Sequence, residues 1–119
     1  MGSPHISDGA LVCDGATIRG SVTIGSGTVI FPQCRIECYA GAGPISIGAG
    51  CVVEEGVSIV SEGPEGVSIG EGNLFEVGCT VSCKKIGSYN TFQAKCHVGK
   101  DVEVCDGCSI GERAEQSIR

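Results

Sequence analysis

Nine cysteines are the residues of this chain most capable of chemistry. Cys105 and Cys108 form a Cys-x-x-Cys pair, but a zinc site normally needs a second such pair or histidines. An odd number of thiols without a secretory signal favours reduced cysteines over disulfides. Five cysteines occupy one small-residue position of the repeat described below: Cys34, Cys51, Cys79, Cys96 and Cys108. There a thiol behaves as a small apolar side chain, so we predict structural cysteines and no metal, with a metal site as the alternative.

His97 is the candidate general base, because the other histidine, His5, lies near the N-terminus. A catalytic base is normally held by a hydrogen-bonding partner, and no carboxylate partner is identifiable for His97. We therefore expect a surface imidazole that points outward at a corner of the fold. Asn73 and Asn90 should stack and bond to corner backbone through their amides, with ion binding as the alternative. The sequence thus predicts no catalytic, cofactor-binding or metal-binding residue.

The charge and hydropathy of the chain exclude several classes of function. A formal net charge of −6 argues against binding to nucleic acid or to an anionic membrane, because both need a basic surface. No apolar run approaches the roughly 18 residues of a membrane-spanning helix. The N-terminus lacks the charged and apolar regions of a signal peptide. We expect a cytoplasmic protein.

The elements that must position these residues follow from an internal repeat. An apolar anchor recurs at almost every sixth position, the period of a short strand followed by a corner. Anchors three repeats apart fall on the same face of a triangular coil. The first column holds Ile6, Ile24, Ile47, Ile69, Ile86 and Val104. The second column holds Val12, Ile30, Val53, Phe75, Phe92 and Ile110. The third column holds Ile18, Ile36, Ile59, Val81 and Val98.

These columns predict an all-β chain, a single-stranded parallel β-helix of about five to six triangular coils. Two insertions, residues 40–44 and 61–66, both follow third-column anchors, so both loops should lie on one edge. A residue is missing near Lys84 and Lys85, on the same face. We place the β-helix at residues 6–114. It is preceded by an N-terminal tail (1–5), of the kind that expression vectors add, and followed by a C-terminal tail (115–119).

Glycine follows the first-column anchor in four successive coils, at Gly25, Gly48, Gly70 and Gly87. A corner that repeats in every coil is a place where the backbone often needs a positive φ, which glycine adopts at no steric cost. We therefore predict positive φ at these four glycines.

Several segments resemble a known family. They cover residues 18–25, 42–48, 69–79, 86–99 and 107–111, and the most specific is Asn-Leu-Phe-Glu-Val-Gly-Cys at Asn73–Cys79. Together they are similar to the dynactin subunit 6 family from about Ile6 to Gly111, with both loops at matching places. The family continues with more coil and a C-terminal helix, so we expect this chain to be truncated relative to it.

The resemblance implies a left-handed β-helix and a non-catalytic subunit of dynactin, the activator of the microtubule motor dynein. Members of the family pair with dynactin subunit 5 and join other subunits at the pointed end of the actin-related filament, where they contribute to cargo attachment. The expected location is cytoplasmic and cytoskeleton-associated. The expected partners include no nucleic acid, and no direct membrane insertion is expected.

Two enzymatic alternatives share the hexapeptide repeat. An acyltransferase would use His97 as a base at a cleft between chains of a trimer, and it would need an acyl-donor site. A gamma-class carbonic anhydrase needs three imidazoles around a metal, and one chain with two histidines does not supply them. The anchors do not show which outer face binds a partner, so the partner-binding residues are not assigned from the sequence.

Overall fold

The computed structural model describes residues 3–111 and 113–114, and this part of the chain forms short β-strands joined by tight turns. The strands are β1 (His5–Ile6), β2 (Leu11–Val12), β3 (Thr17–Arg19), β4 (Val22–Ile24), β5 (Val29–Ile30), β6 (Arg35–Cys38), β7 (Ile45–Ile47), β8 (Val52–Val53), β9 (Ser58–Ser61), β10 (Val67–Ile69), β11 (Leu74–Phe75), β12 (Thr80–Val81), β13 (Lys85–Ile86), β14 (Thr91–Phe92), β15 (His97–Val98), β16 (Glu103–Val104), β17 (Ser109–Ile110) and β18 (Arg113–Ala114). The predicted C-terminal tail, residues 115–119, lies outside the described residues.

The strands form three parallel six-stranded sheets, which are the three faces of a prism. The first face is β1-β4-β7-β10-β13-β16, the second is β2-β5-β8-β11-β14-β17, and the third is β3-β6-β9-β12-β15-β18. Each predicted anchor pairs in register with the anchor one coil away, as Ile24 does with Ile47 and Phe75 with Phe92. The three predicted columns are therefore confirmed.

Anchors and small corner residues fill the interior of the prism. The rings of Phe75 and Phe92 stack with their centroids 4.5 Å apart and their planes 9° from parallel. In the first coil, Ile6 is still 45% exposed and Val12 and Ile18 are only half-buried. Within the described residues, the first coil has a neighbouring coil on one side only. These three side chains therefore point inward but are not fully buried.

The four glycines after the first-column anchors do not have the positive φ that we predicted. A Cβ on Gly25 would lie 2.6 Å from the carbonyl carbon of Gly48, and one on Gly48 would lie 2.6 Å from the carbonyl oxygen of Gly70. Glycine is therefore needed because successive coils approach too closely for a side chain. The left-handed residues come two positions later, as at Gly27 and Gly50.

Both insertions lie on the edge after the third face, as predicted, and they stack on each other. The Gly43 amide donates to the Gly63 carbonyl at 2.8 Å, and the Ser61 hydroxyl donates to the Gly43 carbonyl at 2.7 Å. Where the repeat lacks a residue, before Lys85, Cys83 turns inward and is fully buried. Burial raises the pKa of this thiol to about 11.

Candidate partner-binding face

His97 is exposed on the third face, as predicted, but it lies in strand β15 rather than at a corner. The small residue before it, Cys96, closes the corner, so the strand begins directly at His97. It pairs with Thr80 of β12 on one side and with Arg113 of β18 on the other. Among residues 3–111 and 113–114, no group of three or more His, Cys, Asp or Glu side chains could hold a metal ion.

Replacing His97 by alanine should change the free energy of unfolding by less than about 0.5 kcal/mol, because an exposed side chain without packing partners contributes little. Chemical denaturation of wild type and His97→Ala measures the difference. A loss several times larger would show that the imidazole is part of the coil and that its outward orientation is wrong.

Four of the predicted corner cysteines, Cys34, Cys51, Cys79 and Cys96, are buried. Their thiols do more than fill space. Cys34 Sγ donates to the Glu54 carbonyl at 3.0 Å, and Cys51 Sγ donates to the Gly70 carbonyl at 3.2 Å. Burial raises the pKa of both thiols. Each cysteine therefore satisfies a corner carbonyl of the next coil while it packs in the core.

Cys79 and Cys96 stack in adjacent coils, as the phasing predicts, with their sulfur atoms 3.4 Å apart. Both are free thiols, and Cys96 donates its proton to Cys79. This hydrogen bond to Cys79 raises the pKa of Cys96. Cys79 in turn donates to the Gln93 carbonyl at 3.0 Å. The pair thus continues the hydrogen bonding that links one coil to the next.

The Cys-x-x-Cys pair lies near the outer surface, where Cys105 is exposed and Cys108 is half-buried. The Cys108 thiol is 3.7 Å from the Asp106 carbonyl oxygen. The structure brings no further metal-ligating side chains around the pair within the described part of the chain.

Alkylation of the native protein should modify Cys105 first and leave Cys34, Cys51 and Cys79 unmodified until the protein unfolds. Exposure and thiolate content control the rate, and the buried side chains are inaccessible. Mass spectrometry after a timed iodoacetamide pulse, with and without denaturant, reports each site. Rapid labelling of Cys79 in the native protein would contradict its place in the core.

The predicted structural role of the stacked asparagines is confirmed. Asn73 Nδ2 donates to the Gly87 carbonyl at 2.8 Å, and its Oδ1 accepts from the Asn90 amide at 2.9 Å. Asn90 Oδ1 accepts from the Cys108 amide at 2.7 Å. Thr28, two coils before Asn73 in the same column, bonds in the same way by donating to the Gly48 carbonyl at 2.7 Å. These side chains bind corner backbone from coil to coil.

A groove with a volume of about 290 Å³ lies beside the second loop, residues 61–66. Its lining carries charges of both signs, from Glu62, Glu65, Asp101, Lys84 and Lys100. The predicted candidate base, His97, does not line this groove.

The outer surfaces of the three faces differ sharply in polarity. In each strand the residue before the anchor points outward, because successive side chains alternate between the two sides of a sheet. On the first face these residues are His5, Thr23, Ser46, Ser68, Lys85 and Glu103. On the third face the same position holds Thr17, Arg35, Ser58, Thr80 and His97. Both surfaces are polar, and both ion pairs found in the described part of the chain, Arg19–Glu37 and Arg35–Glu37, lie on the third face.

The second face is apolar over four successive coils, and we call these four residues the apolar ladder: Leu11, Val29, Val52 and Leu74. They pair in register from strand to strand. None belongs to the core cluster, and Leu11 is 57% exposed. Phe31, one residue past an anchor of this face, adds a side chain that is 39% exposed. Val29, Val52 and Leu74 are half-buried. The ladder is the candidate partner-binding site, because a contiguous row of apolar side chains on the solvent side of a sheet is typical of interaction sites.

The anchor columns alone do not predict the apolar ladder. The signal was present in the sequence, since the residue before each of the first four second-column anchors is Leu or Val. Packing in the core explains why the anchors are apolar, but it does not explain why these outward residues are apolar. An aliphatic residue on both sides of one sheet predicts that the sheet is covered on both sides.

Curated relatives of known name match almost the whole of this chain. It is 41% identical to dynactin subunit 6 of Xenopus tropicalis over an alignment of 122 residues. The alignment covers 93% of this chain and 60% of that protein. It is 44% identical to dynactin subunit 6 of Dictyostelium discoideum over an alignment of 109 residues. This alignment covers 92% of this chain and 58% of that protein. The chain thus spans about three fifths of the length of these relatives. No family model matches it.

Among solved structures, the acetyltransferase domain of PglB from Neisseria gonorrhoeae superposes with a TM-score of 0.76 over 91% of this chain and 49% of that one. The identity is 15%, so the likeness concerns the fold alone. The predicted left-handed parallel β-helix is confirmed. The resemblance in sequence is also confirmed, and over the part of their length that it spans the chain is a homologue of the dynactin subunit 6 proteins.

Proposed function

We propose that the chain is a non-catalytic assembly subunit of dynactin. The observation that carries this proposal is the 41–44% identity to dynactin subunit 6 proteins over about 92% of the chain. The finer parts of the proposal rest on the resemblance to that family. They are pairing with dynactin subunit 5, a place among the pointed-end subunits, a contribution to cargo attachment and a cytoplasmic, cytoskeleton-associated location.

The architecture suits an assembly role. Backbone hydrogen bonds and buried corner side chains join each coil to the next, so the prism presents its outer faces in fixed relative positions. Interfaces between such surfaces need little reordering on binding, which lowers their entropic cost. The apolar ladder supplies the kind of contiguous apolar contact that the centre of an interface requires.

An acyltransferase is the second candidate, and the fold similarity to the PglB acetyltransferase domain is the observation in its favour. At 15% identity that similarity does not extend to chemistry. Acyl transfer with His97 as the general base would need the imidazole in a cleft beside a bound acyl donor. In the single chain His97 is exposed on a strand of the third face, so a neighbouring chain would have to supply the other wall of such a cleft.

A tagged chain incubated with cytosol should recover other dynactin subunits, identified by mass spectrometry. The same preparation should show no acetyl transfer from acetyl-coenzyme A to amine substrates above a blank. Recovery without dynactin components, together with a transfer activity that His97→Ala abolishes, would replace the assembly role by the enzymatic one.

A further inference from the structure

We propose that the apolar ladder on the second face binds a partner protein. The partner contributes a flat apolar strip with basic side chains along both of its edges. This inference rests on the proposed function and deepens it, because it names the surface by which the subunit docks. The partner is defined by its chemistry: aliphatic or aromatic side chains at the centre, with lysine or arginine on either side.

The geometry of the ladder sets the shape of the partner. Leu11, Val29, Val52 and Leu74 follow one another on adjacent strands of a single sheet, so they form one straight row. Strands in a sheet are about 4.8 Å apart, which makes the row roughly 14 Å long. The ladder ends at Thr91 and Ser109, the polar residues of the next two coils. The apolar contact therefore covers the first four coils of the face and stops before the last two.

Carboxylates line both sides of the row. On the side where the strands begin, Asp8 and Glu71 lie exposed at the turn three residues before Leu11 and Leu74, and Asp106 lies exposed two coils beyond the end of the ladder. On the side where the strands end, Glu54 and Glu76 follow the buried anchors. Asp106 and Glu76 also accept backbone hydrogen bonds, from Ser88 and Ala94. No salt bridge involves any of these five carboxylates in the described part of the chain.

The acidic edges favour a basic partner and oppose a second copy of this chain. In any face-to-face pairing of two copies, acidic edges would meet acidic edges, and like charges brought together at an interface are unfavourable. The net charge of −6 adds to this repulsion. A heterologous partner with lysine or arginine beside its apolar strip makes favourable charge contacts at both edges and apolar contacts at the centre.

The test uses purified dynactin subunit 5 as the probe, with binding measured by calorimetry at low and high salt. The double variant Val52→Asp/Leu74→Asp should weaken binding by about tenfold or more, because it places charge at the centre of the contact. Ser46→Asp/Ser68→Asp is the matched control. It adds the same charges in the same two coils, at the outward positions of the first face, and it should leave affinity within about twofold of wild type.

The edges are tested by charge reversal. Glu54→Lys and Glu71→Lys should each weaken binding several-fold at low salt, and the loss should shrink as salt rises. Glu103→Lys, on the first face, serves as the control for net charge. Val52→Thr/Leu74→Thr keeps the β-propensity of the strands and should still weaken binding. It therefore tests the ladder even if the aspartate variant fails to fold.

The outcomes separate this inference from the proposed function. If the wild-type chain binds the probe and all second-face variants bind equally well, the docking surface is elsewhere and the assembly role stands. If the wild-type chain binds neither subunit 5 nor dynactin from cytosol, both the inference and the function are contradicted. If the chain forms a homodimer in sedimentation that the Val52/Leu74 variants dissociate, the ladder is a self-association surface and the heterologous partner is wrong.

Discussion

Phe75→Ala should lower the free energy of unfolding by about 3–5 kcal/mol, which is the range for truncating a buried phenylalanine. Phe75 is fully buried and stacks on Phe92 at 4.5 Å. Truncation removes the apolar area of one ring and leaves its partner without a stacking surface. Because hydrogen-bonded coils on both sides hold the surrounding backbone in place, we expect the cavity to close only in part. Urea denaturation followed by circular dichroism measures the loss.

Leu74→Ala is the matched control for this prediction. Leu74 is the preceding residue of the same strand, but it points outward and lies outside the core cluster. Its truncation should cost well under half of what Phe75→Ala costs, because a half-exposed side chain transfers less area from water. Equal losses at the two positions would mean that the inward and outward assignments of the second face are mistaken.

Gly48→Ala should lower the free energy of unfolding by about 1–3 kcal/mol, because the added methyl overpacks the contact between two coils. The added Cβ would lie 2.6 Å from the Gly70 carbonyl oxygen and 2.7 Å from its carbonyl carbon. Both are backbone atoms of the next coil, so no side chain can move aside. The coils would have to separate locally, which weakens the hydrogen bond from the Gly48 amide to the Ile69 carbonyl, now 2.9 Å long. Thermal unfolding measures the effect.

Gly99→Ala provides the comparison for a glycine with space around it. Gly99 has no positive φ, and the nearest atom to an added Cβ, Nε2 of His97, is 3.9 Å away. Stability should be unchanged or slightly raised, since alanine restricts the unfolded chain. If Gly48→Ala were as harmless as Gly99→Ala, close coil approach would not explain the glycine column.

The columns were predictable from the sequence because a solenoid repeats one constraint in every coil. Each anchor must be apolar for the same reason as the anchor beside it, so the period of six survives two insertions and one missing residue. The Phe75–Phe92 stack and the Asn73–Asn90 ladder follow from that phasing alone. No contact beyond the neighbouring coil was needed to predict them.

The features that sequence analysis missed depend on distances between backbones or on the solvent side of a sheet. At Gly25 and Gly48 the sequence shows that glycine is required but not why. Both a positive φ and a close approach of the neighbouring coil favour glycine. Only the separation of the coils decides between them. Cys83 falls outside the regular phase, so its burial depends on how the shortened corner closes. The apolar ladder lies outside the anchor columns, and core packing places no requirement on residues that point to solvent between the anchors.

Sedimentation velocity of the chain alone and mixed with dynactin subunit 5 is the most direct test of the proposed assembly role. We predict a single new species with the mass of a 1:1 complex, which dissociates more readily in high salt and with Val52→Asp/Leu74→Asp but not with Ser46→Asp/Ser68→Asp. Two proteins that sediment independently at concentrations well above those in the cell would contradict the pairing with dynactin subunit 5, and failure to recover dynactin from cytosol as well would contradict the assembly role.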